Sequence, residues 1–495
     1  MRRFVDRLVA DTLKQWQQPA ISMSLLWNND TYSACSGVRR KDQDATINEQ
    51  THFALASCSK AFIVNAILIL QSKGKLDLDD LVKDYIHGLT FSNEVVASRA
   101  TIRDLMCNRL GLISSEGRHR QVAFSRKDLI TRMAFQPFQH EFKGSYAYCT
   151  DGFTLLGEIV TRVLDAELGE CLEQLLFTPL GMNHTNVSHV QAKSDGNFAS
   201  PHLWLDGSLA PIDWNYEDHV AAPAGGVNSN AEDMQKWLYF ILSGQSMSGK
   251  VVLPEEFLAL SSVPHMKDEG QFAEHELSQA MGIYAHLVQE EAYALGWYTH
   301  IYKGSRVYYH TGSIDGFRSL VGYVKDCNFA VSIMVNGDNP FLPRMLFQTL
   351  VDKVKGVNVA NWSSLFAKHQ TDMGNNKVLQ PFPKSELDIH ELDLLRPFYG
   401  NYCDSTGFGM ATIRQHDLSV IMTVGALQFY LHPIGELCFE AYKIWPYCVG
   451  PQFSANGMIN INGELVGFTT TQQAIFTRLI EPQNTWKTTN NLVSK

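Results

Sequence analysis

Hydrophobic and polar positions change their rhythm several times along the chain. Apolar residues at helical spacing over 4–13 predict an amphipathic surface helix. The β-prone runs 19–27 and 31–37 flank an Asn-Asn-Asp turn and predict a hairpin. Residues 58–72 are apolar almost all round and are followed by Gly74, which predicts a buried helix. The chain is therefore expected to begin with a helix, a hairpin and a second helix.

Helical patterns and loops alternate up to about residue 290, and strand patterns return at 305–336. Strands at both ends of a helical middle predict an α+β layer with an inserted helical subdomain. Residues 356–386 contain few aliphatic side chains and are predicted to form a linker. The sequence thus predicts a large domain over 1–355 and a second domain over 387–495.

Short strand-like runs recur beyond residue 400 with no helical pattern between them. Asn-Gly pairs at 456–457 and 462–463 fit hairpin turns, because both central positions of the favoured turn need positive φ. Evenly spaced short strands predict a small antiparallel barrel or sandwich for the second domain.

Composition excludes several classes of function. The chain has 495 residues, and 41 Lys and Arg against 51 Asp and Glu leave a net charge of −10, which argues against nucleic-acid binding. No apolar run approaches the ~20 residues of a membrane helix, so no membrane partner is expected. The charged N-terminus does not fit a signal peptide, and nine scattered cysteines without a CxxC pair favour reduced thiols. These features predict a cytoplasmic protein.

Seventeen histidines show no ligand spacing, so neither a metal nor another cofactor is expected. The nucleophile candidate is Ser57, because Ser57 and Lys60 stand at i and i+3 and share one helix face. A serine hydroxyl needs an adjacent base, and a buried lysine can supply one. The pattern is weak by itself, since Ser72 and Lys75 repeat it. Cys58 is a rival nucleophile, although it points off this face and is better interpreted as a core thiol.

Two further segments offer chemistry that such a pair needs. Tyr148 stands in an aromatic and hydroxyl cluster before a helical pattern, where it is either a proton relay or a core aromatic. His310-Thr311-Gly312-Ser313 follows a strand, and its glycine permits close approach of a substrate. The N–H groups of that strand edge can face a developing oxyanion, or the segment is simply a strand that ends in a turn.

Taken together and in order, six segments resemble the serine β-lactamase-like family of penicillin-recognising enzymes. This family includes class C β-lactamases, low-molecular-weight penicillin-binding proteins, D-aminopeptidases and related esterases. The resemblance covers about residues 5–350. The matching segments are 51–60, 74–80, 101–112, 148–157, 223–229 and 310–319.

The resemblance implies a fold and a set of roles. The fold is an antiparallel sheet flanked by helices, with a helical subdomain. Ser57 would form an acyl-enzyme, Lys60 would activate Ser57, and Tyr148 would act as general base or proton relay. The backbone N–H groups of Ser57 and Ser313 would form the oxyanion hole.

Two positions differ from the motifs of many penicillin-recognising enzymes, although a histidine at the first of them is usual in the esterase and aminopeptidase branches that the chain resembles. His310 replaces the lysine of a Lys-Thr-Gly motif that Thr311 and Gly312 complete, which puts less fixed positive charge near the substrate. Thr150 replaces an asparagine two residues after Tyr148 and offers only a short hydroxyl. The second change predicts a preference for esters or smaller acyl groups, or a lower activity.

Residues 395–402 resemble the start of a lipocalin-like barrel that some members carry at the C-terminus. In a similar peptidase subgroup this barrel makes oligomer contacts and narrows access to the site, so a homo-oligomer through this domain is one expectation. The sequence as a whole predicts a serine hydrolase for a small-molecule ester, or for a peptide or amide such as one with a D-amino acid. Two alternatives stay open: a DD-peptidase or β-lactamase on the same fold, and a non-catalytic scaffold or binding protein.

Overall fold

The structure is a computed structural model, and its chain divides into two units, Met1–Pro381 and Phe382–Lys495. The described residues are 1–112, 125–136, 138–205, 208–214, 220, 222–267, 288–358, 360–372, 386–404, 409–424, 427–443, 453–460, 464–470 and 475–479.

The first unit is built on a large antiparallel sheet. The described strands of this unit are β1 (Ala20–Trp27), β2 (Asp30–Gly37), β3 (Phe53–Ala54), β4 (His202–Leu205), β5 (Ser208–Pro211), β6 (Asn228–Ser229), β7 (Met266–Lys267), β8 (Val288–Tyr293), β9 (Tyr298–Tyr302), β10 (Ser305–Ile314), β11 (Phe317–Val324) and β12 (Phe329–Val335). Within the described residues eight of them form one sheet in the order β2-β1-β12-β11-β10-β9-β8-β7, and β3 with β6 and β4 with β5 form two small ribbons. The N-terminal hairpin thus lies beside the last strand of the unit.

Helices cover the sheet and fill the interval between β2 and β7. They are α1 (Arg2–Trp16), α2 (Ser59–Ser72), α3 (Val82–Tyr85), α4 (Glu94–Arg99), α5 (Ile102–Met106), α6 (Arg126–Arg132), α7 (Thr150–Leu164), α8 (Leu168–Leu172), α9 (Thr178–Leu180), α10 (His189–Lys193), α11 (Ala222–Gly225), α12 (Ala231–Ser243), α13 (Glu255–Leu260), α14 (Leu342–Val354) and α15 (Trp362–Asp372). The predicted α+β fold with a sheet flanked by helices is confirmed.

The two helices predicted at the start of the chain differ in their burial. In α1 the buried residues are Val5, Val9, Thr12 and Trp16, at intervals of three and four, so one stripe of the helix packs on the protein. Helix α2 is buried on every side from Ser59 to Leu70, as its apolar composition requires. It therefore forms the centre of the first unit.

The second unit is a closed antiparallel barrel, which confirms the predicted small β domain. Helix α16 (Ile389–Leu395) precedes the barrel strands β13 (Gly400–Asp404), β14 (Gly409–His416), β15 (Ser419–Val424), β16 (Leu427–Gly435), β17 (Cys438–Lys443), β18 (Phe453–Ile459), β19 (Leu465–Thr470) and β20 (Ile475–Arg478). Strand β15 alternates between half-buried and buried positions, the pattern of a wall with one face toward a core.

One predicted turn of the barrel is wrong. Asn456 and Gly457 lie inside β18, paired with β17 on one side and β19 on the other. The glycine packs closely there, since a Cβ at Gly457 would stand 2.6 Å from Leu465 Cδ1 and 3.2 Å from the carbonyl oxygen of Leu437. The other predicted turn, at 462–463, lies outside the described residues.

The division into a domain, a linker over 356–386 and a second domain remains a prediction, and helix α15 falls inside the stretch predicted as linker. None of the helices in the described part of the chain is long and apolar enough to cross a membrane.

Candidate active site

Ser57 and Lys60 meet at the beginning of α2. The chain leaves β3 through a short 3₁₀ turn, Ala56–Cys58, and continues directly into the helix. Lys60 is fully buried, and its Nζ donates hydrogen bonds to Ser57 Oγ at 3.1 Å and to the carbonyl of Ala224 at 3.0 Å. The pairing predicted from the i, i+3 spacing is therefore present as a contact.

Tyr148 completes a group of three. It stands just before α7, and its hydroxyl donates to Ser57 Oγ at 3.0 Å. Lys60 Nζ lies 4.9 Å from the centre of the Tyr148 ring. Two proton-carrying groups thus contact the same hydroxyl oxygen, and either one accepts the Ser57 proton once it has given up its own.

The His310–Ser313 segment forms the part of β10 that passes the nucleophile. Strand β9 pairs with β10 only as far as Tyr309, whereas β11 pairs with it along the whole segment. Gly312 packs against the turn before Ser57, where a Cβ would stand 2.2 Å from the carbonyl oxygen of Leu55. A larger residue would push the strand away from Ser57, so this glycine sets their separation.

His310 is buried and uncharged. Its Nδ1 lies 2.7 Å from the carbonyl oxygen of Thr311, which can only accept, so Nδ1 carries the proton. Nε2 has no hydrogen-bond partner among the described residues. Burial, and then the nearby Lys60 charge, lower the pKa of His310 to about 3. The position where the family carries lysine therefore supplies no positive charge at neutral pH.

The remaining predicted residues are more exposed than Lys60 and His310. Thr150 is the first residue of α7 and is half-buried; its carbonyl accepts a bond from Thr154 Oγ1 at 3.4 Å. Thr311 is half-buried, and Ser313 is exposed. The predicted residues around Ser57 are thus contributed by three separate elements, namely α2, the start of α7 and β10.

Two contacts of the site were not predicted from the sequence. The carbonyl of Ala224, on α11, binds Lys60. Cys58 is buried, and burial raises the pKa of its thiol to about 11, which removes it as a thiolate nucleophile at neutral pH. Its Sγ lies 3.3 Å from Ser319 Oγ, a side chain on β11. Ser319 lies in the segment 310–319 that resembles the family, and this resemblance is the sequence signal that could have identified it.

Across the part of the chain that the structure describes, no cluster of three or more His, Cys, Asp or Glu side chains is arranged to hold a metal ion.

The fold is the one found in penicillin-binding protein homologues and class C β-lactamases. The family model described as Beta-lactamase matches residues 5–351. The chain therefore belongs to the beta-lactamase family, and the resemblance found in the sequence is confirmed.

Curated relatives share this region at low identity. The unguisins hydrolase ungD' of Aspergillus campestris is 22% identical over 344 residues, which are 66% of this chain and 60% of that protein. Protein flp of Staphylococcus aureus (strain COL) is 22% identical over 346 residues, 69% of this chain and 64% of that protein. The match thus spans less than two thirds of the length of these relatives.

Solved structures with the same fold cover more of the chain. The octameric penicillin-binding protein homologue from Pyrococcus abyssi has a TM-score of 0.60 and 16% identity over 96% of this chain and 99% of that one. The D-amino acid amidase from Ochrobactrum anthropi SV3 has a TM-score of 0.56 and 19% identity, over 74% and 98%. At these identities the likeness supports the fold.

Proposed function

We propose that this protein is a serine hydrolase that works through an acyl-enzyme on Ser57. Its substrate would be a small ester, or a peptide or amide that contains an unusual residue such as a D-amino acid. The observation that carries the proposal is the contact of Ser57 Oγ with both Lys60 Nζ and Tyr148 OH.

In the proposed reaction, Ser57 Oγ bonds to the substrate carbonyl carbon while its proton passes to Lys60 or Tyr148. The carbonyl oxygen becomes an oxyanion that the backbone N–H groups of Ser57 and Ser313 stabilise. The bond to the alcohol or amine then breaks, and that group leaves with the proton. Water attacks the acyl-enzyme in the same way and regenerates Ser57.

His310 favours this substrate class over β-lactams. An uncharged imidazole offers a substrate carboxylate much less than a lysine ammonium does, because charge-assisted hydrogen bonds are about twice as strong as neutral ones. Two similar proteins, an unguisins hydrolase and a D-amino acid amidase, support a hydrolase, and the second supports a substrate that contains a D-amino acid. The cytoplasmic location and the homo-oligomer expected from the sequence remain predictions.

The nucleophile is tested with a fluorophosphonate probe, which labels an activated serine. Native protein should be labelled, and Ser57→Ala should not. The matched control is Ser72→Ala, which removes the serine of the second Ser-x-x-Lys pattern at the end of α2. Labelling that survives in Ser57→Ala would contradict the mechanism, and a native protein that is never labelled would favour the scaffold alternative.

The substrate class is tested with p-nitrophenyl esters, D-amino acid anilides and nitrocefin. We expect turnover of esters or D-amino acid anilides that exceeds turnover of nitrocefin. If nitrocefin were the best substrate of the three, the β-lactamase alternative would replace the proposal.

A further inference from the structure

The residue before the proposed nucleophile has a strained backbone. Ala56 is buried and has a φ of +47°, in the left-handed region. For a residue other than glycine this region costs about 1–2 kcal/mol. Such a conformation persists only where the surrounding structure holds it in place. The contacts around Ala56 therefore hold it in this conformation.

The carbonyl of Leu55, which belongs to the peptide bond entering Ala56, is held by two donors. Ser319 Oγ on β11 donates to it at 2.6 Å, and the backbone N–H of Cys58 donates at 3.2 Å. Because the Ser319 bond reaches across from the sheet, it fixes the plane of that peptide relative to β11. The strained turn cannot relax without breaking it.

Cys58 ties the same turn to β10. Its Sγ lies 3.2 Å from the carbonyl oxygen of His310 and 3.3 Å from Ser319 Oγ. The carbonyl of His310 accepts only, so the thiol donates its hydrogen there or to Ser319. A Cβ at Gly312 would stand 2.2 Å from both Leu55 O and Ser319 Oγ, which shows how closely the strand and the turn approach.

We propose that Ser319 and Cys58 are positioning residues, here called the turn clamp, that hold the strained turn before Ser57 against β10. The clamp keeps the backbone N–H groups of Ser57 and Ser313 at the separation that an oxyanion requires. The inference rests on the proposed function. Donors that stabilise a transition state act only when they are held in place beforehand, so a loosened turn lowers the rate rather than the binding of substrate.

The first test compares a p-nitrophenyl ester with its thiono analogue. Sulfur accepts hydrogen bonds weakly, so the oxo-to-thiono ratio of kcat reports on the oxyanion donors. We expect Ser319→Ala to lower kcat on the oxo ester about tenfold, to leave KM nearly unchanged and to lower the ratio. Ser332→Ala is the matched control, because Ser332 is a buried serine of β12 whose Oγ has no partner among the described residues. Equal losses on both esters would overturn the proposal.

The second test uses two variants of Cys58. It keeps the proposal testable if the Ser319→Ala protein does not fold. Cys58→Ala should lower the same ratio, and Cys58→Ser should restore it because a hydroxyl keeps the donor. Cys171→Ala, a buried thiol of α8, is the control and should leave the ratio unchanged. A Cys58→Ala protein with the native ratio would count against the clamp.

The last test needs no activity and therefore separates failure of the clamp from failure of the proposed function. Ala56→Gly relieves the positive φ and should raise the Tm by about 2 °C in the native background. In the Ser319→Ala background the turn keeps only the Cys58 contact of the clamp and relaxes more easily, so the same change should raise the Tm less. A gain of equal size in both backgrounds would refute the clamp even if the protein hydrolysed no substrate.

Discussion

The individual residues of the candidate site differ in their charge, their contacts and the length of their side chains. Lys60 is buried, and its Nζ contacts a hydroxyl and a backbone carbonyl. His310 is equally buried, and that burial, followed by the nearby Lys60 charge, lowers its pKa and keeps it neutral. Thr150 stands two residues after Tyr148 with a side chain shorter than the asparagine of the family. The proposed substrate class therefore rests on the charge and length of individual side chains.

Replacing Thr150 with asparagine tests this at one position. Asparagine adds an amide donor and acceptor beside Tyr148, so turnover of an amide substrate should rise relative to an ester. A rise of about tenfold in the amide-to-ester ratio of kcat/KM corresponds to one hydrogen bond of ~1.4 kcal/mol. Thr161→Asn, on the last turns of α7, is the control. If the ratio stayed constant, the interpretation of Thr150 as a specificity change would lose its support.

His300, on β9, gives a prediction of pH dependence. It is buried, and burial followed by the Arg344 and Arg306 charges lowers its pKa from 6.5 to about 3. A lowered pKa in the folded state gives stability above pH 6.5 that is lost as the pH falls towards 3. At pH 5 the loss is about 2 kcal/mol relative to neutral pH.

The measurement is urea unfolding of His300→Gln and native protein at pH 7.5 and pH 5. The native protein should lose about 2 kcal/mol more than the variant on acidification. His87→Gln, a change at an exposed histidine, should leave the native pH dependence intact. Identical pH dependence of native protein and His300→Gln would contradict the prediction.

At the scale of secondary-structure elements, α7 and α11 together position the backbone carbonyl that accepts a hydrogen bond from Lys60. Gly157 of α7 packs directly on Pro223 of α11, where a Cβ would stand 2.2 Å from Pro223 Cγ. The next residue of α11, Ala224, accepts the Lys60 bond. The contact between these helices thus sets the position of a carbonyl that binds Lys60.

Gly157→Ala should push α11 away and weaken the Lys60–Ala224 bond. We expect a destabilisation of about 1–3 kcal/mol, the usual cost of overpacking, and a lower kcat. The measurements are thermal unfolding and ester hydrolysis. Gly169→Ala in α8 is the control, since its added Cβ would meet only Val187 Cγ2 at 3.3 Å. Loss of stability without loss of kcat would remove the link between this packing and Lys60.

At the scale of the whole first unit, Asp352 joins three elements. This fully buried carboxylate of α14 accepts from Tyr302 OH on β9 at 2.8 Å, from Lys303 Nζ at 3.1 Å and from Trp362 Nε1 on α15 at 2.7 Å. Each donor would be left partly unsatisfied without it. Helix α15, within the stretch predicted as linker, is therefore joined to α14 and β9 of the first unit by polar contacts.

Asp352→Ala should destabilise the first unit by about 3 kcal/mol, the scale seen when one partner of a buried ion pair is removed. Thermal unfolding followed by tryptophan fluorescence measures the change. Asp326→Ala, at an exposed position of the same unit, should have little effect. A native-like Tm of Asp352→Ala would show that the contact does not contribute to stability.

Much of the fold could be predicted from the pattern of hydrophobic and polar residues. The turn predicted at Asn456-Gly457 was wrong, and the reason is clear. The helix at α2 and the hairpin of β1 and β2 were predictable because local periodicity reflects which faces are buried. An Asn-Gly pair favours a turn only in isolation. In β18 it is paired with strands on both sides, so tertiary pairing outweighs the local preference.

The sequence by itself determined the class of fold and the Ser57–Lys60 pair, because helical spacing alone brings i and i+3 onto one face. Tertiary structure decided the rest of the site. Tyr148 lies 91 positions from Ser57, and Ser319 lies 264 positions from the Leu55 carbonyl it binds. The neutral state of His310 and the strain at Ala56 depend on burial and on such distant contacts, which no local pattern encodes.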